Sequence, residues 1–155
     1  MKKKIVLFIL VLFWMGLIFF FSHQKSVQSD NLSNGLIDKI INVVEYFKGS
    51  DFTDNQIELI YKYAVFPIRK LAHFMIYLIL GILIYNLLKQ YRISNILIVS
   101  ILICLIYALT DEIHQLFVFG RSGELKDVLI DIIGSSVGIF INYHIINKKL
   151  KNKKL

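Results

Sequence analysis

Four long runs of apolar residues occupy positions 5–21, 71–88, 93–109 and 128–146, and polar residues collect between them. At 1.5 Å of helical rise per residue, each run is about long enough to cross a hydrocarbon core of roughly 30 Å. Each therefore predicts a transmembrane helix, and together they predict an all-α integral membrane bundle of four spans. A mean hydropathy of +0.62 with 56% apolar residues leaves no room for a separate soluble domain, so residues 1–155 read as one membrane domain. The first run follows three lysines, as a signal peptide's does. Its length and the following Ser22-His23-Gln24-Lys25, which lacks a small-x-small cleavage pattern, predict a retained anchor instead.

Between the first two spans, residues 22–66 carry helical periodicity of a different kind. Leu32, Leu36, Ile37, Ile40, Ile41, Val44 and Phe47 form one apolar face opposite Asp38, Lys39, Asn42 and Glu45, which predicts an amphipathic helix ended by Gly49-Ser50. A second helix is expected from Thr53-Asp54-Asn55-Gln56, a capping-box pattern, through Val65. Pro67, the only proline, then falls where the first turn of the second span is expected. Amphipathic helices of this kind lie on a membrane surface or fold over the mouth of a bundle.

Charge orients these elements. Lys2, Lys3, Lys4, Lys89, Arg92, Lys148, Lys149, Lys151, Lys153 and Lys154 flank the spans on one side with no acid among them. The other side holds all eleven acidic residues and the remaining eight basic ones. Because Lys and Arg near span ends are retained in the cytoplasm, both termini are expected inside, with 22–66 and 112–126 outside. The net charge of +7 is thereby explained by topology and attraction to anionic inner-leaflet lipid, and nucleic acid drops out as a partner. The single Cys104 lies in mid-membrane, where a packing thiol is the expected role.

Polar residues then gather at the outer ends of three spans. Arg69, His73 and Tyr77 share one face of the second; Tyr107, Asp111 and His114 share one of the third; Asp127, Asp131, Gly134 and Gly138 share one of the fourth. Ionisable side chains at the edge of hydrocarbon are expensive unless they turn inward and find partners, so a common cluster is the economical arrangement. Each residue alone has a plainer reading. Arg69 and Lys70 can snorkel, His73 can be a hydrogen-bonded bundle histidine, His114 and Gln115 can be loop residues, and Gly134 with Gly138 suits close helix packing. His23 and His144 are given no functional role. Taken together, Arg69, His73, Asp111, Glu112, Gln115, Arg121, Asp127 and Asp131 point to a site.

Arg69-Lys70-x-x-His73-Phe74-x-x-Tyr77, then Asp111-Glu112-x-His114-Gln115-x-Phe117, then Gly120-Arg121 with Asp127 and Gly134 resemble the successive signature blocks of the VanZ-like membrane proteins. Trp14 and Phe20-Phe21-Ser22 at the end of the first span fit the same pattern. The sequence departs from it at three places: Phe119 stands where proline is frequent, Asp131 where asparagine is, and Ile76 where many members carry glutamate. The resemblance implies a cell-envelope protein of a Gram-positive organism that influences susceptibility to the glycopeptide teicoplanin.

Two chemistries suit the cluster, and the sequence leaves both open. In the first, Arg69 and Arg121 bind the anionic head of a lipid-linked or phosphate-bearing envelope precursor, Tyr77, Gln115, Asp127 and Asp131 complete the binding site, and His73 with Asp111 or Glu112 supplies acid and base. In the second, the protein masks a wall precursor or the lipoglycopeptide without turnover. A transporter or proton relay is disfavoured, since the inner halves of the spans are apolar. The carboxylates of Asp111, Glu112, Asp127 and Asp131 are donors that suit a divalent cation, yet there is no His-Glu-x-x-His, no cysteine pair and no other zinc-type spacing. Membrane lipid is the one partner the composition requires; nothing sets the oligomeric state.

Overall fold

The computed structural model describes residues 2–121 and 123–152; Lys153 and Lys154 of the basic tail lie outside them. Five helices follow one another: α1 (Lys2–Ser22), α2 (Ser26–Lys48), α3 (Asp54–Lys89), α4 (Ile96–Gln115) and α5 (Leu125–Asn152). All but α2 are long and apolar enough to cross a membrane. The large apolar side chains left on the surface of α1, such as Ile9, Phe13 and Phe20, are what lipid-facing positions require. This is a multi-pass membrane protein.

The core runs along the bundle axis. Val11 and Ile18 of α1, Tyr77, Leu80 and Ile84 of α3, Cys104 and Ala108 of α4, and Val128 and Ile139 of α5 form one buried cluster. The closest partners are α3 and α5. A Cβ placed on Gly134 would lie 2.4 Å from the Phe74 carbonyl oxygen, and one on Gly138 would lie 2.1 Å from that of Leu78. The two helices therefore touch backbone to backbone. In hydrocarbon, association depends on such close packing, because lipid tails are as apolar as Leu. Two side-chain bonds add to it from α1: Trp14 Nε1 donates to the Ile76 carbonyl at 2.9 Å, and Tyr107 on α4 donates to the Met15 carbonyl at 2.6 Å.

The amphipathic helix forms as its periodicity requires, ending at Gly49, which takes the left-handed conformation (φ 71°). Its apolar face divides in two. Ile37 and Ile41 are buried and α2 packs on α3, whereas Leu32, Leu36, Ile40 and Phe47 stay exposed as a second stripe. Asp38 on α2 accepts a hydrogen bond from Tyr61 on α3. The capping box at the start of α3 is also formed, with the Thr53 N–H donating to Gln56 Oε1 at 3.0 Å.

Two expected boundaries differ. The stretch from Thr53 and the second span are one continuous helix of 36 residues, and Pro67 lies inside it rather than at a first turn. A proline ring is compatible with helical φ and removes one i−4 bond, here the one to the Tyr63 carbonyl. The stretch before Pro67 is tied to α2 by the hydrogen bond from Tyr61 to Asp38. The third span likewise continues as helix through Gln115, so His114 and Gln115 belong to the helix and are not loop residues.

Candidate functional site

The C-terminal ends of α1 and α4, the N-terminal part of α5 and the middle of α3 meet at one end of the bundle. There the end of α4 presents Asp111, Glu112 and Gln115, all buried and on one side of the helix. Ser22, the last residue of α1, donates its hydroxyl to Asp111 Oδ2 at 2.8 Å, and Gln115 Nε2 approaches the same oxygen at 3.4 Å. Gln115 Nε2 also donates to Glu112 Oε1 at 3.2 Å, while its own carbonyl accepts from Arg121 at 3.1 Å. The second oxygen of Glu112 accepts the backbone N–H of Glu124 at 2.8 Å. One Glu112 oxygen thus anchors the connection that carries Arg121, and the other holds the Gln115 amide that Arg121 bonds. A second Arg121 nitrogen donates to the Phe21 carbonyl at 3.3 Å. Burial lowers the Arg121 pKa below the ordinary arginine value and the nearby Arg69 charge acts in the same direction, opposed by Asp111, Glu112 and Asp30.

From α3, His73 turns to α5. Its Nδ1 lies 3.4 Å from Asp131 Oδ1, close enough for an ion pair but outside hydrogen-bond geometry, so Asp131 has no hydrogen-bond partner among the described residues. Asp127 and Asp111 are also near enough for their charges to act on His73. The carboxylate nearest the imidazole is therefore that of Asp131, and not Asp111 or Glu112. One turn away, Lys70 forms an ion pair with Asp127, with both side chains largely buried. Removing either partner alone would leave an uncompensated charge, which is costlier than never having had the pair. Arg69 points the other way, to Asp30 on α2 at 3.1 Å. Tyr77 is fully buried against Tyr107 with its hydroxyl unpartnered among the described residues, as is Asp111 Oδ1.

Two hollows meet at these residues. A small chamber of about 90 Å³ is lined by Lys70, Gln115, Glu124 and Asp127 among others. A larger cleft of about 510 Å³ opens between α1, α2 and α3. Arg69, His73 and Arg121 line both. Among the described residues, no group of three or more His, Cys, Asp or Glu side chains is arranged to hold a metal ion.

Every residue of the expected cluster lies at this end of the bundle. Sequence reasoning assigned no site role to five participants. Ser22 and Asp30 precede the second span and carried no periodic signal linking them to it. Lys70 read as a snorkelling lysine, although its place beside Arg69 on the polar end of α3 was the available clue. His23 and His114 face each other, Nδ1 to Nε2 at 3.2 Å, with the Phe19 ring stacked on His114 at 4.2 Å between centroids. They come from α4 and the end of α1, and only the fold joins them.

The VanZ/LLP1 family model matches residues 7–147. The chain belongs to the VanZ/LLP1 family. The match takes in the greater part of all four spans and all of the polar end, from Ser22 to Asp131, so the cluster is part of the VanZ/LLP1 domain and not an addition to it. At family level this is a membrane protein associated with glycopeptide resistance. No curated protein and no solved structure gives a match.

Proposed function

We propose that the polar end of the bundle faces outward and binds a phosphate-bearing, lipid-linked envelope precursor, and that the protein thereby lowers susceptibility to teicoplanin. One observation carries this reading: Arg69, His73 and Arg121 stand between a polar chamber and a mainly apolar cleft, an arrangement suited to a ligand with an ionic head and an apolar chain. Teicoplanin carries a lipid tail and works on wall precursors at the outer membrane surface. Expression in a susceptible Gram-positive host is expected to raise tolerance to teicoplanin more than to vancomycin, which lacks the tail. Unchanged susceptibility to both antibiotics would end this reading.

Binding without turnover is favoured over catalysis by the way the acids are employed. Glu112 anchors a backbone N–H and Gln115, Asp127 neutralises Lys70, and Asp111 holds Ser22, so three of the four acids are engaged in holding the bundle together; the fourth, Asp131, lies 3.4 Å from His73 and is the acid that a catalytic reading would use. Hydrolysis of a polyprenyl-linked precursor by the purified protein would restore the catalytic reading.

The outward orientation follows from the partition of basic residues. Single cysteines introduced as Ser50→Cys and Gln90→Cys in a Cys104→Ala background report it. An impermeant maleimide on intact cells is expected to label position 50 and spare position 90; the reverse pattern would invert the protein.

A further inference from the structure

The larger cleft has an unusual division of charge. Five of its lining residues, Ile18, Leu32, Leu36, Ile76 and Tyr77, give it an apolar wall, and Lys39, Arg69 and Arg121 are its basic residues. Among the described residues no Asp or Glu lines it, although Asp30 pairs with Arg69 beside it and the acidic cluster is a helix turn away. Leu32 and Leu36 are 54% and 51% exposed and stand on α2, which is not among the four helices long and apolar enough to span. A groove walled by exposed leucines in a membrane protein is filled by something apolar, and the cations select the sign of whatever polar group is attached to it.

Independent of charge, Tyr77 is 1% exposed, lines this cleft and has a hydroxyl without a partner among the described residues. A buried hydroxyl left unpaired costs free energy that a ligand's oxygen would recover. A guanidinium has five N–H donors, and Asp30 engages one nitrogen of Arg69. A phosphate monoester presents three terminal oxygens, enough to accept from Arg69 and Arg121 with one oxygen to spare, where a carboxylate has two.

We propose that this cleft is a binding site for a lipid phosphate monoester, with one apolar chain lying along Ile18, Leu32, Leu36 and Ile76 and the phosphate held by Arg69 and Arg121. The volume of about 510 Å³ falls within the range of roughly 300–1,000 Å³ for sites that enclose one small ligand, which suits one chain and a compact head. The site rests on the reading of the preceding subsection for its phosphate-bearing ligand, and it names that ligand's class and seat. Such a ligand enters sideways from the bilayer, under α2, without leaving the lipid phase.

The protein carries its own reporter. Trp14, the only tryptophan, donates to the carbonyl of Ile76, which lines the cleft. Purified protein in phosphatidylcholine nanodiscs is titrated with dodecyl phosphate, dodecanol and inorganic phosphate while Trp14 fluorescence is followed. Dodecyl phosphate is expected to give a saturable change, with the midpoint raised about tenfold in Arg121→Gln and in Arg69→Gln, the equivalent of one charge-assisted contact. Leu36→Glu, a change at a half-exposed position that the core does not need, is expected to abolish the response to dodecyl phosphate and create one to dodecyltrimethylammonium. Equal midpoints for dodecanol and dodecyl phosphate overturn the phosphate seat; equal midpoints for inorganic phosphate and dodecyl phosphate overturn the chain seat; an unaltered response in Leu36→Glu overturns the location. Because no host is involved, binding without antibiotic tolerance refutes the resistance reading alone, and tolerance without binding refutes this one alone.

Discussion

Gly138→Leu is expected to prevent assembly of the bundle. The new Cβ would lie 2.1 Å from the backbone oxygen of Leu78, a separation real Cβ atoms essentially never show, and the remaining side-chain atoms would have to occupy α3 itself. Ordinary overpacking costs about 1–3 kcal/mol because neighbouring side chains can shift. Here the obstacle is helix backbone, which cannot move without separating α3 from α5 along their whole contact, so a loss above about 4 kcal/mol is expected. Unfolding of purified wild type and variant in mild detergent, followed by Trp14 fluorescence, measures it. Gly16→Leu, at a position on α1 where a Cβ would meet nothing within 4 Å, is the control and is expected to unfold as wild type does. Comparable stability of Gly138→Leu and wild type would mean that α3 and α5 are not in backbone contact.

His73→Ala, Asp111→Asn and Arg121→Ala are each expected to remove teicoplanin tolerance from cells expressing the protein, while leaving its abundance in the membrane unchanged. His73 is the residue through which cleft, chamber and Asp131 communicate; Asp111 holds Ser22 and so ties α1 to α4; Arg121 supplies a cation to both hollows. His144→Ala and Cys104→Ala change side chains outside this region and are expected to retain tolerance. Minimum inhibitory concentrations, with immunoblots of membrane fractions, give the comparison. Variants of the cluster that protect as well as wild type would reduce it to a structural element.

The spans were legible because hydrocarbon imposes its demand on every residue within it: a helix that crosses must be apolar along its length, and that is a property of composition in a window. The amphipathic α2 was legible for a related reason, since burial of one face leaves a 3.6-residue period in the chain. Which half of that face meets protein was not. Ile37 and Ile41 are indistinguishable in type from Leu36 and Ile40, and only docking on α3 buries the first pair and leaves the second open.

The same distinction holds at the site. That Arg69, His73, Asp111, Asp127 and Asp131 should face inward together follows from the cost of placing charge against lipid, a cost each residue carries wherever its partners are. The choice of partners is different in kind. His73 lies against Asp131 rather than Asp111, Asp127 meets Lys70, Arg69 turns to Asp30, and Ser22 closes on Asp111 across 89 positions of chain. A hydrogen bond or ion pair depends on separations of about 3–4 Å between groups on different helices, set by rotation and depth that no periodicity records. Sequence alone therefore determined the membrane, the four crossings and the polarity of one end of the bundle, because these follow from each residue's own free energy of transfer. The cleft beneath α2, the basic residues that line it and the pairing inside the cluster exist only where helices meet, and the tertiary structure decided them.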